Sequence, residues 1–335
     1  MAAGAGGAAA RRQGGWLWGR IAALALLLFA LVAPFFLYPV FVMRALCFAL
    51  FACAYNLLIG YVGLVSFGHA AFLGSAAYIT AYTVKSWGLP PLIGILAGMA
   101  TAASIGAVFG WLAIRRQGIY FAMVTLALAQ MIYFVAVQAK FTGGEDGIQA
   151  VPRGRLFGLV DLNHPLAMYY FVLAIFLIGF AIIYRTIHSP FGQVLKAIRE
   201  NEPRAVSLGY RVERYKLLAF ILSAALAGLA GAVNALVFQL ASLTEVNFGT
   251  SGDVILMVLI GGLGTVLGPV VGAAILVAME NFLAPFGAWV TVIEGTIFVV
   301  CVLLFRRGIV GELGHLLRPR RAVSSASAAP DPSPG

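Results

Sequence analysis

Residues 199–240 read "RENEPRAVSLGYRVERYKLLAFILSAALAGLAGAVNALVFQL", and the change of character halfway along decides the fold. The first eighteen positions hold eight charged residues in a chain that is only 10% charged, and from Leu217 to Leu240 there is no charge at all. That uncharged run exceeds the ~18–20 residues a helix needs to cross hydrocarbon. It is apolar on every face and rich in Leu, Ala and Gly, whereas a membrane barrel strand would alternate with a period of two. A helix satisfies its own backbone in lipid, so this stretch is a spanning helix with a charged, water-facing segment before it.

Working outward, further apolar stretches lie at about 21–43, 45–63, 66–84, 91–114, 119–139, 166–184, 253–279 and 288–305. A hydrophobic content of 62% over 335 residues and a mean hydropathy of +0.98 lie outside the soluble range. The fold class is therefore all-α, a polytopic transmembrane helical bundle. Arg11, Arg12 and Arg20 ahead of Ile21 give the start a signal-peptide look, but the run is too long and Pro34 and aromatics follow it. A retained first span is expected. The tails, 1–16 and 319–335, are small, polar or Pro-rich and are expected to be disordered, leaving a membrane domain over 17–318.

Arg and Lys cluster at Arg11 to Arg20, Arg115–Arg116, Arg185 to Lys216 and Arg306 to Arg321, which the positive-inside rule places in the cytoplasm with both termini. Residues 140–165 set Lys140, Arg153 and Arg155 against Glu145, Asp146 and Asp161 and fit the outside. Orientation accounts for the net charge of +10 without a nucleic-acid partner. Two inside termini require an even number of crossings, yet nine stretches are apolar. The odd one is 253–279, whose "GGLGTVLGPVVG" (261–272) spaces Gly264, Gly268 and Gly272 by four around Pro269. The expectation is eight full spans plus one broken or re-entrant element, or ten crossings if that stretch hides two short ones.

The four lysines follow Val84, Ala139, Leu195 and Tyr215, so no phosphate-binding G-x-x-x-x-G-K-[ST] loop is present. Neither H-E-x-x-H nor G-x-S-x-G occurs, and Cys47, Cys53 and Cys301 lack metal-type spacing. An enzyme and a metal site are therefore unsupported. The candidate ionisable residues deep in the bundle are Arg44, His69, Asp253, Glu280 and Glu294, mostly near the expected span ends, which weakens a self-sufficient ion-coupled carrier or channel as the alternative to an energised transporter.

Upstream of the spanning run, Ser189 can cap a helix, Pro190 suits its first position, and Phe191, Val194, Leu195 and Ile198 form one apolar stripe. Pro203 starts a second helix and Gly209 can end it in a left-handed cap. Such a helix–turn–helix could lie on anionic lipid, but its mixed charge points to a protein groove. Within the membrane, "GYVGLVSFGHAAFLG" (60–74) sets Gly63, Ser66, Gly68 and His69 near a helix break. Either the break exposes backbone donors to a solute, or the small residues serve close packing with His69 as an interhelical hydrogen bonder. Gly261, Gly262 and Gly264 pose the same choice beside a pathway. In "TGGEDGI", Thr142, Gly143 and Gly144 would make a turn presenting Glu145 and Asp146 outward.

The stretch "SPFGQVLKAIRENEPRAVSLGYRVERYKLLAFILSAALAGLAGAV" (189–233) resembles the cytoplasmic coupling loop and following span of permeases of branched-chain amino acid ABC importers. The resemblance extends to "NLLIGYVGLVSFGHAAFLGSAAY" (56–78), "GIYFAMVTLALAQ" (118–130), "TGGEDGI" (142–148) and "GGLGTVLGPVVGA" (261–273). "AIRENE" is similar to the longer, M-type member of the two paralogous permeases. Where the family has "GAY", this chain has Ala76, Ala77 and Tyr78, which puts a glycine role there in doubt. The resemblance implies a multi-pass bacterial inner-membrane subunit working with a paralogous permease, two cytoplasmic ATPase subunits that hold the ATP, and an external binding protein. It assigns the coupling loop to about 185–216, with Phe191, Ile198, Arg199, Glu200, Asn201, Glu202, Leu208 and Gly209 facing the ATPase. This chain itself would carry no cofactor.

Overall fold

The computed structural model describes residue 28, residues 30–116, 118–156 and 160–287, separate positions from 289 to 299, and residues 308–316. The expected tails, the start of the first span, Glu294 and Cys301 lie outside the described residues. After a helical stretch at 30–36, α1 runs Pro39–Tyr61, α2 His69–Ser86, α3 Pro91–Ala113, α4 Ile119–Gln138, α5 Pro165–His188, α6 Pro190–Glu200, α7 Glu202–Ser207, α8 Val212–Phe238, α9 Phe248–Gly261, α10 Gly268–Leu283 and α11 Gly308–Leu316. Proline occupies the first helical positions of α1, α3 and α5, where its fixed φ suits a helix start and its missing N–H is no loss.

Among the described residues five helices, α1, α3, α4, α5 and α8, are long and apolar enough to cross a bilayer. The run that opened the sequence reading becomes α8, which is buried along most of its length against α1, α2 and α3. Its Ala and Gly residues let those neighbours come close. By contrast α4 leaves most of its surface outward. The segment expected at 66–84 is α2, eighteen residues long, less apolar than the others and mostly enclosed by protein.

One expectation about boundaries changes and another holds. Arg44 does not separate a span at 21–43 from one at 45–63: it lies inside α1 and its Nη2 donates to Glu280 Oε2 of α10 at 2.6 Å. The pairing lets a charge sit within an apolar helix, and the actual break is at residues 37–38, ahead of Pro39. The stretch 253–279 is broken, as its Gly and Pro content implied, into α9 and α10. At fourteen and sixteen residues each is shorter than a full crossing. They fold back on each other as an antiparallel hairpin, with Gly272 so close to α9 that a Cβ would lie 1.8 Å from Met257 O.

The molecule has two distinct ends. At one, α6 and α7 join the start of α8, beside the last turns of α3, where Gly110 packs on Leu217 and Phe220. At the other, about 40 Å away along the 27 residues of α8, Ile148–Gln149 (β1) pairs antiparallel with Leu240–Ala241 (β4). A second pair joins Arg155–Leu156 (β2) to Val160–Asp161 (β3). Among the described residues these four two-residue strands are additions to a mainly helical fold. Arg153 fastens this ladder by donating to Val237 O at 2.7 Å and Leu236 O at 3.3 Å. Residues 140–161 and the α6–α7 pair therefore occupy opposite ends.

Candidate functional site

The α6–α7 pair is built by local capping. Ser189 Oγ accepts from Gly192 N at 3.3 Å to start α6, and Asn201 Oδ1 accepts from Arg204 N at 3.0 Å to start α7. Gly209, at φ +84°, ends α7: its N–H reaches Val206 O at 2.9 Å and Tyr210 N reaches Ala205 O at 3.2 Å, the paired bonds of a Schellman cap. The apolar stripe faces inward. Leu195 is fully enclosed, Ile198 packs with Ala205 and Val212, and Phe191 stacks on Tyr215 at 5.6 Å. Phe191 and Ile198 thus hold the segment together instead of facing a partner. The outward apolar surface is Val206, Leu208 and Tyr210, respectively 57%, 69% and 41% exposed, beside exposed Glu200 and Asn201.

Three side chains tie this segment to the bundle. Glu202 accepts from Lys216 Nζ of α8 at 2.7 Å, with the lysine side chain only 6% exposed. Lys196 lies over the Tyr61 ring at 5.6 Å, and the Arg199 guanidinium donates to Gly60 O. Beside Arg199 lies the tip of the α9–α10 hairpin: a Cβ on Gly264 would be 3.3 Å from Arg199 Nη1. Asn56 of α1 clamps that tip, donating to Thr265 O at 2.8 Å and accepting from Gly264 N at 3.0 Å. Gly63, at φ +84°, has the Arg199 side chain against it, and Gly261 and Gly262 adjoin Gly308 of α11. The fold thus brings Gly63, Gly261, Gly262 and Gly264 together with Arg199 at one end.

Ser66, Gly68 and His69 lie deeper. After α1 ends, residues 62–68 turn back into the bundle without helical structure, and α2 begins at His69 beside Ser223, eleven residues into α8. Irregular backbone among spanning helices needs partners, and they are side chains. Phe67 N donates to Thr125 Oγ1 at 3.2 Å, Gly68 N to Ser66 Oγ at 3.3 Å and Ala70 N to Ser251 Oγ at 3.0 Å. His69 Nε2 bonds Ser223 Oγ at 2.9 Å, and Ser223 donates to Ala54 O at 2.6 Å. Tyr55, Phe72 and Phe220 surround the imidazole edge-on, while His69 Nδ1 is enclosed with no partner among the described residues.

At the opposite end, Thr142 is buried and its Oγ1 donates to Ala136 O at 2.7 Å. Successive 3-10 turns with Gly143 and Gly144 at positive φ leave Glu145 and Asp146 exposed. Nearby, two bonds from Asn163 hold the Asp161 carboxyl below its usual range. The sequence reading missed Asn56, Thr125, Ser223 and Ser251, which secure the breaks. Polar residues inside apolar runs were the available signal. It also missed Glu245, which lies in a 3-10 turn before α9 and accepts from Asn234 Nδ2.

The family described as branched-chain amino acid transport system permease component matches residues 37–305. The chain is 26% identical to the high-affinity branched-chain amino acid transport system permease protein LivM of Escherichia coli over 301 residues, covering 82% of this chain and 69% of that one. It is also 26% identical to the corresponding permease protein BraD of Pseudomonas aeruginosa, over 79% of this chain and 92% of that one. The ribose import permease protein RbsC of E. coli matches at 26% over 64% of this chain and 68% of its own length. No solved structure matches.

Proposed function

The chain belongs to the branched-chain amino acid transport permease family, and from that premise we propose that it translocates branched-chain amino acids, or a related small polar solute such as urea, an amide or another carboxylate, as one permease subunit of an ATP-driven importer in a bacterial inner membrane. In this reading it is the longer permease and works with a paralogous permease, two cytoplasmic ATPase subunits that bind and hydrolyse ATP, and an external binding protein. Both termini and the α6–α7 pair face the cytoplasm. The placement of Arg115, Arg116, Arg185 and residues 199–216 toward the α6 end supports that orientation.

The observation that carries the reading is a water-facing helix pair with an outward apolar face at Val206, Leu208 and Tyr210, tied by Lys216–Glu202 to α8 and by Arg199–Gly60 to the end of α1. An ATPase gripping Leu208 would displace α6 and α7 as one body, because Ile198, Ala205 and Val212 pack them together. The displacement would reach the hairpin tip at Gly264 and the irregular segment 62–68, which we assign to the inner part of the solute path. Glu145 and Asp146 would meet the binding protein.

The test is reconstitution. The full complex in proteoliposomes, given the binding protein and internal ATP, should accumulate radiolabelled L-leucine, and the chain alone under a proton or sodium gradient should not. Gradient-driven uptake by the chain alone overturns the reading in favour of a self-sufficient carrier.

A further inference from the structure

Glu245 is the least explained charge within the bundle. It sits on the 3-10 turn Leu243–Glu245, which follows β4, packs on α2, α4 and α9, and is bonded to Asn234 of α8. One carboxylate oxygen accepts from Asn234 Nδ2, while the other is enclosed with no hydrogen-bond partner among the described residues. Two ion pairs occur among those residues, Arg44–Glu280 and Lys216–Glu202, and neither involves Glu245.

Two further polar groups are left in the same layer. Asn234, 4% exposed, has Oδ1 without a partner, and Tyr78, 2% exposed, has its hydroxyl without one. Tyr78 stands one turn along α2 from Gly74, against which Glu245 and Val246 pack. Enclosed polar atoms without partners are rare and call for an explanation. An ionised Glu245, the form a bound cation would hold, and the Asn234 amide oxygen can only accept, and the phenol can accept as well. What this group lacks is a compact cationic donor with several N–H bonds.

We propose that Glu245, Asn234 and Tyr78 bind the primary ammonium group of the transported amino acid in the ladder-end third of the bundle. The inference rests on the reading that the solute is an amino acid. An ammonium brings three N–H donors and a positive charge, matching one charge-assisted bond to Glu245 and neutral bonds to Asn234 and Tyr78. Asn234 lies four residues before the end of α8, on the side from which a binding protein would deliver solute. The turn is closed over the site: Val246 Cγ2 lies 2.3 Å, and Glu245 C 3.0 Å, from where a Cβ on Gly74 would stand. Separation of Leu243–Val246 from α2 at Gly74 would open it, and Thr244 and Asn247 just outside are exposed.

The experiment uses the complete complex with its binding protein in proteoliposomes, measuring uptake of radiolabelled L-leucine, binding-protein-stimulated ATP hydrolysis and subunit co-purification. Glu245→Gln keeps the size and the Asn234 contact but removes the charge. Tyr78→Phe removes only a hydroxyl that has no hydrogen-bond partner among the described residues and keeps the ring. Both should assemble with the other subunits like the parent. Uptake should fall at least tenfold in Glu245→Gln and several-fold in Tyr78→Phe. Parental uptake in both variants overturns the site. So does loss of uptake in Glu245→Gln together with loss of assembly while Tyr78→Phe matches the parent, because that pattern marks a structural carboxylate. Failure of the parent complex to import leucine overturns the branched-chain amino acid reading of the solute, and the ammonium site with it.

Discussion

The guanidinium of Arg199, in the last turn of α6, donates to the carbonyl oxygen of Gly60 in the last turn of α1. That bond links the charged helix pair to the point where α1 gives way to irregular backbone, and Gly264 of the hairpin tip lies against the same guanidinium. Three chain segments, distant in sequence, meet at one side chain.

Replacing Arg199 by Ala should therefore uncouple rather than disassemble the transporter. A charge-assisted hydrogen bond contributes about 1.5–3 kcal/mol, so leucine uptake per ATP hydrolysed should fall about tenfold or more, with the ATPases still co-purifying. Arg199→Lys should recover only part, because an ammonium cannot reproduce the planar fork that lies between Gly60 and Gly264. Parental coupling in Arg199→Ala would mean that the contact transmits nothing.

The docking surface is separable from the packing that supports it. Leu208→Asp, at a position 69% exposed, should fold normally and lose the ATPase subunits on purification. Ile198→Asp places a carboxylate where the side chain is 3% exposed, between Ala205 and Val212, and should destabilise the segment by several kcal/mol. Its expected sign is protease cleavage near residues 199–211 as well as loss of the ATPases. If Leu208→Asp retains the ATPases at the parent level, that face does not contact them.

Spans were legible wherever long apolar runs had Pro or charge at their borders: 91–114, 119–139, 166–184 and 217–240 became α3, α4, α5 and α8 with shifts of a few residues. The break in 253–279 was legible because Gly and Pro act locally. Arg44 misled because its partner, Glu280, is 236 residues away and nothing near Arg44 announces it. The stripe through Phe191 and Ile198 correctly implied a buried face, but periodicity does not say whether the same chain or another one covers it. Glu245 was invisible for a related reason: "SLTEVN" has the composition of an exterior loop, and only the packing of the turn on α2, α4 and α9 encloses one of its carboxylate oxygens.

Sidedness has a direct check. Single cysteines at Arg116, Ser207 and Glu145, all exposed, can be probed with a membrane-impermeant maleimide. The first two should react only after the membrane is opened and the third in intact cells. Cys47 and Cys53 are buried and should give little background. Labelling of position 207 in intact cells would invert the orientation and remove the ATPase from its proposed partner face.

The turn between α7 and α8 gives the finest test, because its cost is backbone strain alone. Gly209 adopts φ +84°, and nothing lies within 4 Å of where its Cβ would be, so a substitution meets open space. A side chain in the left-handed region costs roughly 1–2 kcal/mol, Asn tolerates it best, and a β-branched residue is strongly disfavoured. Gly209→Asn should therefore retain the ATPases nearly as well as the parent, Gly209→Ala should weaken them measurably, and Gly209→Val should weaken them most. All three should insert in the membrane equally, since the residue is exposed and outside the spans. The readouts are co-purification of the ATPases and leucine-stimulated ATP hydrolysis. Equal behaviour of Asn and Val at this position would show that the Schellman cap formed by Gly209 N and Tyr210 N does not set the angle at which α7 meets its partner.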